Sequence, residues 1–327
     1  MTTQDTATST PYTTSSGRSA TQSGGARSRR RRTASTLAQT GLTLAEHVAP
    51  ALGARMVVRM CTTVPRARPG GQASTGSDGA ALYGAVPDGD RRRVDLPGPT
   101  RASIVTETWG EGPAVYLLHG FRGHRKSWRR FVGPLTQAGF RAVALDVPGH
   151  GDSHPGGDGP RRCSLPEAVT ALRAAAEHHG PAHAVVAHSM GALGAAVACL
   201  DGLPAARLVL IAPVPDHRAA LQVFAKAAGL GERIQARMPR ALERLLQTPL
   251  SQFDAVNRSA EEDTLPPALV IHDRGDRRVP FGLGARLATA WPCARLHRTH
   301  GLGHHRILRD EEVIAASVDF LMAGSGC

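Results

Sequence analysis

A chain of 327 residues has room for roughly two domains, or for one large α/β core. Hydrophobic residues at 41% and charged residues at 20% exclude a wholly disordered chain. No run approaches the roughly 18 apolar residues that a bilayer span needs. The formal charge is +12, and 37 of the 39 basic residues are arginine, which reads as codon bias rather than chemistry. Residues 1–100 hold 13 basic and 6 acidic side chains, so most of the positive excess lies in the first third.

Residues 1–35 are Thr, Ser, Gly, Gln and Arg with almost no large apolar side chain, a composition that predicts disorder. The basic cluster at 27–32, with Arg29 to Arg32 consecutive, reads as a solvated tail, a polyanion-binding arm for nucleic acid or acidic lipid, or part of a targeting segment. Gln39, Glu46 and His47 interrupt the stretch after the arginines, which argues against a secretory signal, and an organelle transit peptide is kept as a minor alternative to a cytoplasmic location. From Thr36, apolar residues Leu37, Leu44, Val48, Leu52, Met56 and Met60 recur at helical spacing, with Arg55 and Arg59 off the stripe and Pro50 breaking the helix. Such a face predicts docking on the chain's own domain, with a membrane surface as the alternative. Residues 65–100, rich in Pro, Gly, Arg and Asp, read as a linker, so 36–100 is one amphipathic helix plus linker. Five cysteines without a C-x-x-C or zinc spacing point to a reducing compartment and no metal.

After Arg101 short apolar runs alternate with helical patterns. Strands are predicted at 104–108, 114–118, 142–145, 184–187, 208–211, 268–271 and 294–296. Helices are predicted at 126–137, 165–178, 190–200, 282–290 and 311–322, the second opened by a capping box of Ser164 and Glu167. Continuously apolar strands separated by helices imply an α/β fold, a mostly parallel central sheet with helices on both faces. Ligands of such sheets sit beyond the carboxyl ends of the strands.

The segment Val185-Val186-Ala187-His188-Ser189-Met190-Gly191-Ala192 runs a buried strand straight into a helix through a serine flanked by small residues. Small flanks let the backbone turn sharply, lift the Ser189 hydroxyl above the sheet and set the Met190 N–H at a helix N-terminus. From here the chain resembles the α/β-hydrolase fold family over residues 101–323. Leu117-Leu118-His119-Gly120-Phe121 resembles the family's His-Gly loop, whose next backbone N–H joins the oxyanion hole, here the Phe121 amide beside that of Met190. Leu145 to Ser153 resembles its D-x-P-G-H-G-x-S loop, and Ala187 replaces the first glycine of the serine elbow. The resemblance places His119, Gly120 and His188 next to the pocket.

In family order the acid and base come after the serine. The turn after 268–271 carries Asp273 and Asp276, and D-x-x-V-P spacing, similar to the family's, selects Asp276 over Asp273 and over Asp216. The loop His300-Gly301-Leu302-Gly303-His304-His305 resembles the family's G-x-G-H segment and selects His304, leaving His300 and His305 as neighbours. Metal binding by His300 and His304 is disfavoured because the intervening glycines oppose a shared helical face.

The resemblance implies a serine hydrolase that cleaves an acyl ester, of carboxylic-ester hydrolase type, through a Ser-Asp-His triad with no cofactor. Residues 214–264 resemble its helical cap, in which Leu221, Phe224, Leu230 and Phe253 read as residues holding cap to core. The alternative is a non-catalytic or acyl-transferring scaffold whose basic arm binds nucleic acid or acidic lipid.

Overall fold

In a computed structural model of the chain, residues 41–64, 86–98, 101–157, 159–262 and 264–323 are described. The leader 1–35 and most of the 65–100 stretch therefore lie outside the described residues. Eight strands form one sheet: β1 (Asp90–Asp95), β2 (Ser103–Trp109), β3 (Ala114–Leu118), β4 (Arg141–Asp146), β5 (Ala182–His188), β6 (Ala205–Ile211), β7 (Ala268–Asp273) and β8 (Ala294–Thr299). Their order is β1-β2-β4-β3-β5-β6-β7-β8. The β1–β2 and β2–β4 pairs are antiparallel, and every other pair is parallel.

Strand alternation divides the apolar residues between two cores. On β3, Tyr116 and Leu118 face one core while Val115 and Leu117 face the other, and β5 divides Val185 and Ala187 from Ala184 and Val186 in the same way. Helices α2 (Arg129–Gln137) and α11 (Glu311–Met322) cover the second face. Helices α3 (Leu165–His179) and α4 (Met190–Leu200) cover the first. The Ser164 and Glu167 capping box opens α3 as the spacing predicts. Every α4 residue after Met190 is buried, so the helix is apolar all round.

Between β6 and β7 lie α5 (His217–Ala228), α6 (Glu232–Gln235), α7 (Met238–Leu246) and α8 (Ala255–Ser259). Helices α6 and α7 are separate because Pro239 sits in the first turn of α7 and starts a new helix there. Leu221, Leu230 and Phe253 are buried in the first core with Phe224 against it. Helices α9 (Phe281–Ala290) and α10 (Gly303–Arg306) complete the set with α11.

The structure corrects two expectations. Strand β1 falls inside the stretch read as linker; only Val94 of its six residues is buried, so this charged edge strand lacks an apolar pattern to find. Helix α1 (Pro50–Cys61), preceded by helical residues 41–48, does dock on α6 and α7, but through Gly53, Ala54, Val57 and Val58. The small face wins because a Cβ at Gly53 would lie 2.7 Å from the Ile234 side chain, a closeness that large residues forbid. Leu44, Val48, Leu52, Met56 and Met60 are left exposed. Cys61 and Cys199 are thiols, and Cys293 is disulfide-bonded.

One buried charge cluster joins the sheet to the loops above it. The Arg125 guanidinium, 2% exposed, pairs with Glu107 on β2 at 2.7 Å, with Asp146 at the end of β4, and with Asp152 at 2.8 Å. The Arg125 amide also donates to Asp146 at 2.6 Å. Removing one partner of such a set strands the others in low dielectric. Arg125→Ala should therefore cost about 3–5 kcal/mol of stability, read as a lowered thermal midpoint by circular dichroism.

Candidate active site

Ser189 joins the end of β5 to α4 with φ 56° and ψ −121°, a conformation rare outside glycine. Its N–H donates to the Ile211 carbonyl at 2.9 Å, tying the turn to β6. The surroundings explain the small flanking residues. A Cβ at Gly191 would lie 2.4 Å from the His119 carbonyl oxygen, and one at Gly120 would lie 2.9 Å from the Ser189 Cβ. The His-Gly loop after β3 and the serine turn thus press backbone to backbone, with Phe121 one residue further along the loop. Met190 opens α4 and rests against Val214, Ala219 and Val279, so the start of α5 lies beside the serine.

The imidazole of His304 lies between the two other sequence-selected residues. His304 Nε2 is 3.1 Å from Ser189 Oγ, and His304 Nδ1 is 2.7 Å from Asp276 Oδ2. A neutral imidazole can hold both contacts only with its proton on Nδ1, donating to the carboxylate and accepting from the hydroxyl. The glycines that precede His304 let its loop turn, with φ of 79° at Gly301 and 65° at Gly303.

Asp276 is held from the opposite side. Its Oδ1 accepts the Arg278 and Val279 amides at 2.8 and 3.0 Å, and His272 Nε2 lies 3.5 Å from Oδ2 while donating to the Val279 carbonyl at 3.0 Å. Burial pushes this carboxyl up, but hydrogen bonds from His272 and His304, with the Val279 amide, outweigh it and hold Asp276 well below the usual carboxylate range.

The competing aspartates are occupied elsewhere. Asp273 accepts the Gly275 and Leu302 amides and the Thr299 hydroxyl at 2.9 to 3.0 Å, bracing the histidine loop against β7. Asp216 caps α5 through the Ala219 amide at 2.7 Å and pairs with Arg286. His300 is exposed, and among the described residues no group of three or more His, Cys, Asp or Glu side chains could hold a metal ion.

His188, buried immediately before the serine, donates from Nε2 to the His304 backbone carbonyl at 2.9 Å. Burial and the neighbouring His304 push its pKa well below that of an ordinary histidine, so it stays neutral while it holds that carbonyl. His119 accepts the Val147 amide at 3.2 Å, linking the His-Gly loop to the loop after β4. Sequence reasoning missed His272, Arg125 and Glu107. His272 stands directly before Asp273 at a strand end, a position that could have flagged it. Arg125 and Glu107 carried no local signal, because their pairing is visible only once β2 and the loop after β3 meet.

The Asp276 shift predicts a direction for acid stability. A carboxylate whose folded pKa is depressed stabilises the fold above its unfolded value of about 3.9 and loses that contribution as the pH falls through the folded one. The urea midpoint of the native protein should exceed that of Asp276→Asn at neutral pH, and the gap should shrink below about pH 4.

A family model for the alpha/beta hydrolase fold matches residues 113–255. Pimeloyl-[acyl-carrier protein] methyl ester esterase of Nitrosomonas europaea is 27% identical over 259 residues, which cover 67% of this chain and all of that protein. A 44-residue stretch is 52% identical to bifunctional epoxide hydrolase 2 of Rattus norvegicus, but it spans only 14% of this chain and 8% of that protein. Among solved structures, a thermophilic esterase from Thermogutta terrifontis superposes with a TM-score of 0.55 at 18% identity, covering 71% of this chain and 98% of the esterase. Sheet order, matched segment and structural likeness agree that this chain has the α/β-hydrolase fold.

Proposed function

We propose that the protein is a serine hydrolase that cleaves an acyl ester by way of an acyl-enzyme. The observation that carries this reading is the single imidazole at 304 in hydrogen-bond reach of both the Ser189 hydroxyl and the Asp276 carboxylate. Ser189 is the nucleophile: as Oγ attacks the acyl carbonyl, its proton passes to His304 Nε2. The imidazolium so formed is stabilised by Asp276, whose depressed pKa keeps it ionised throughout.

Negative charge then develops on the former carbonyl oxygen. The Phe121 and Met190 amides stabilise it, the second with the help of the α4 N-terminus. His304 returns its proton to the leaving alcohol, the acyl group remains on Ser189 Oγ, and water activated by the same imidazole releases the acid. The sequence likeness to a methyl ester esterase supports the ester class. In this reading helices α5 to α8 set acyl preference, which the contact of Met190 with Ala219 of α5 supports.

Ser189→Ala should retain the native circular dichroism spectrum and lower turnover of short p-nitrophenyl esters by on the order of 10⁴-fold or more. Unchanged turnover in the folded variant would defeat the assignment.

A further inference from the structure

Five of the six most exposed large apolar side chains among the described residues belong to one feature: Leu44, Val48, Leu52, Met56 and Met60, each 50–75% exposed. They stand four residues apart, a ladder about 24 Å long at helical rise. The segment that bears them is anchored to the domain by its other side. Gly53, Ala54, Val57 and Val58 are buried, and Glu46 accepts the Arg233 and Ile234 amides at 2.7 and 3.0 Å, capping α6. The outward ladder is therefore presented by a fixed element and covered by nothing among the described residues.

We infer that this ladder docks the protein on an anionic lipid surface. Charge selects the occupant. Arg55 and Arg59 are exposed immediately beside Met56 and Met60, and Arg233 donates to the His47 carbonyl at the other end. The nearby carboxylate of Glu46 is taken up by the α6 amides. The preceding residues 1–40 add six arginines against one aspartate. Apolar side chains entering the acyl boundary, with long basic side chains reaching up to the headgroups, is the arrangement of an interfacial helix. A second copy of the chain would bring the same positive charges face to face, which opposes pairing through this stripe. No helix among the described residues is long and apolar enough to cross a membrane.

The test is co-sedimentation of the full chain with vesicles of phosphatidylcholine alone and with about one part in three phosphatidylglycerol. The native chain should pellet with the acidic vesicles and stay largely in the supernatant with the neutral ones. Leu52→Glu with Met56→Glu should weaken binding at least about tenfold, since two buried side chains are lost and two like charges gained. Arg55→Gln with Arg59→Gln should cost about thirtyfold on acidic vesicles only. These positions are exposed, so unchanged circular dichroism and melting confirm folding.

Three results would overturn the inference. The first is failure of the native chain to bind acidic vesicles. The second is binding that survives both double variants but vanishes when Arg29 to Arg32 become serine, which assigns it to the leader alone. The third is a dimer in sedimentation equilibrium, without vesicle binding, that Leu52→Glu with Met56→Glu converts to monomer.

Discussion

The serine turn is the constraint on which the rest depends. Holding a non-glycine residue at φ 56° and ψ −121° costs on the order of 1–3 kcal/mol, and it persists only where the surroundings over-determine it. Here the turn is gripped by the bond from Ser189 N–H to Ile211, by the burial of α4, and by the His-Gly loop pressed against it at Gly120 and Gly191. The same grip aims the hydroxyl toward the ends of β7 and β8, where the loops bearing Asp276 and His304 leave the sheet.

A rigid serine is useful only if its partner is equally fixed, and several contacts converge on His304. Asp276 orients the ring, His188 holds the backbone carbonyl, and Asp273 ties the start of the same loop to the turn after β7. Asp276 is itself immobilised by two amides and flanked by His272. These restraints come from the ends of two strands, β5 through His188 and β7 through Asp273 and the turn bearing Asp276, so the geometry depends on how the sheet aligns its strands rather than on the histidine loop alone. The cluster of Arg125, Glu107, Asp146 and Asp152 serves the same end by fixing the loops after β3 and β4.

The legible part of the molecule is the part whose signals are local. β3, α4 and α11 have the limits that their apolar periodicity predicts, because each is specified by its own residues. Ser189, Asp276 and His304 can be picked out because each stands in a short motif whose glycines and prolines report local backbone geometry. β1 is invisible in the sequence because an edge strand of Asp and Arg needs no apolar alternation; its hydrogen bonds come from β2. The docking face of α1 escapes periodicity for a related reason. Periodicity finds the large residues, whereas close helix packing here selects Gly53 and Ala54. The spacing that selects Asp276 says nothing of what Asp273 does instead, because its bracing contacts to the Leu302 amide and the Thr299 hydroxyl form only once the histidine loop meets the end of β7.

In the proposed mechanism His304 activates Ser189. That activation is tested most directly by reacting the intact protein with a fluorophosphonate and locating the label by peptide mass spectrometry, alongside His304→Ala. One adduct is expected, on Ser189, formed by the native protein and slowed by orders of magnitude in the variant. A native protein that stays unlabelled, carries the adduct elsewhere, or reacts equally fast without the imidazole would contradict it.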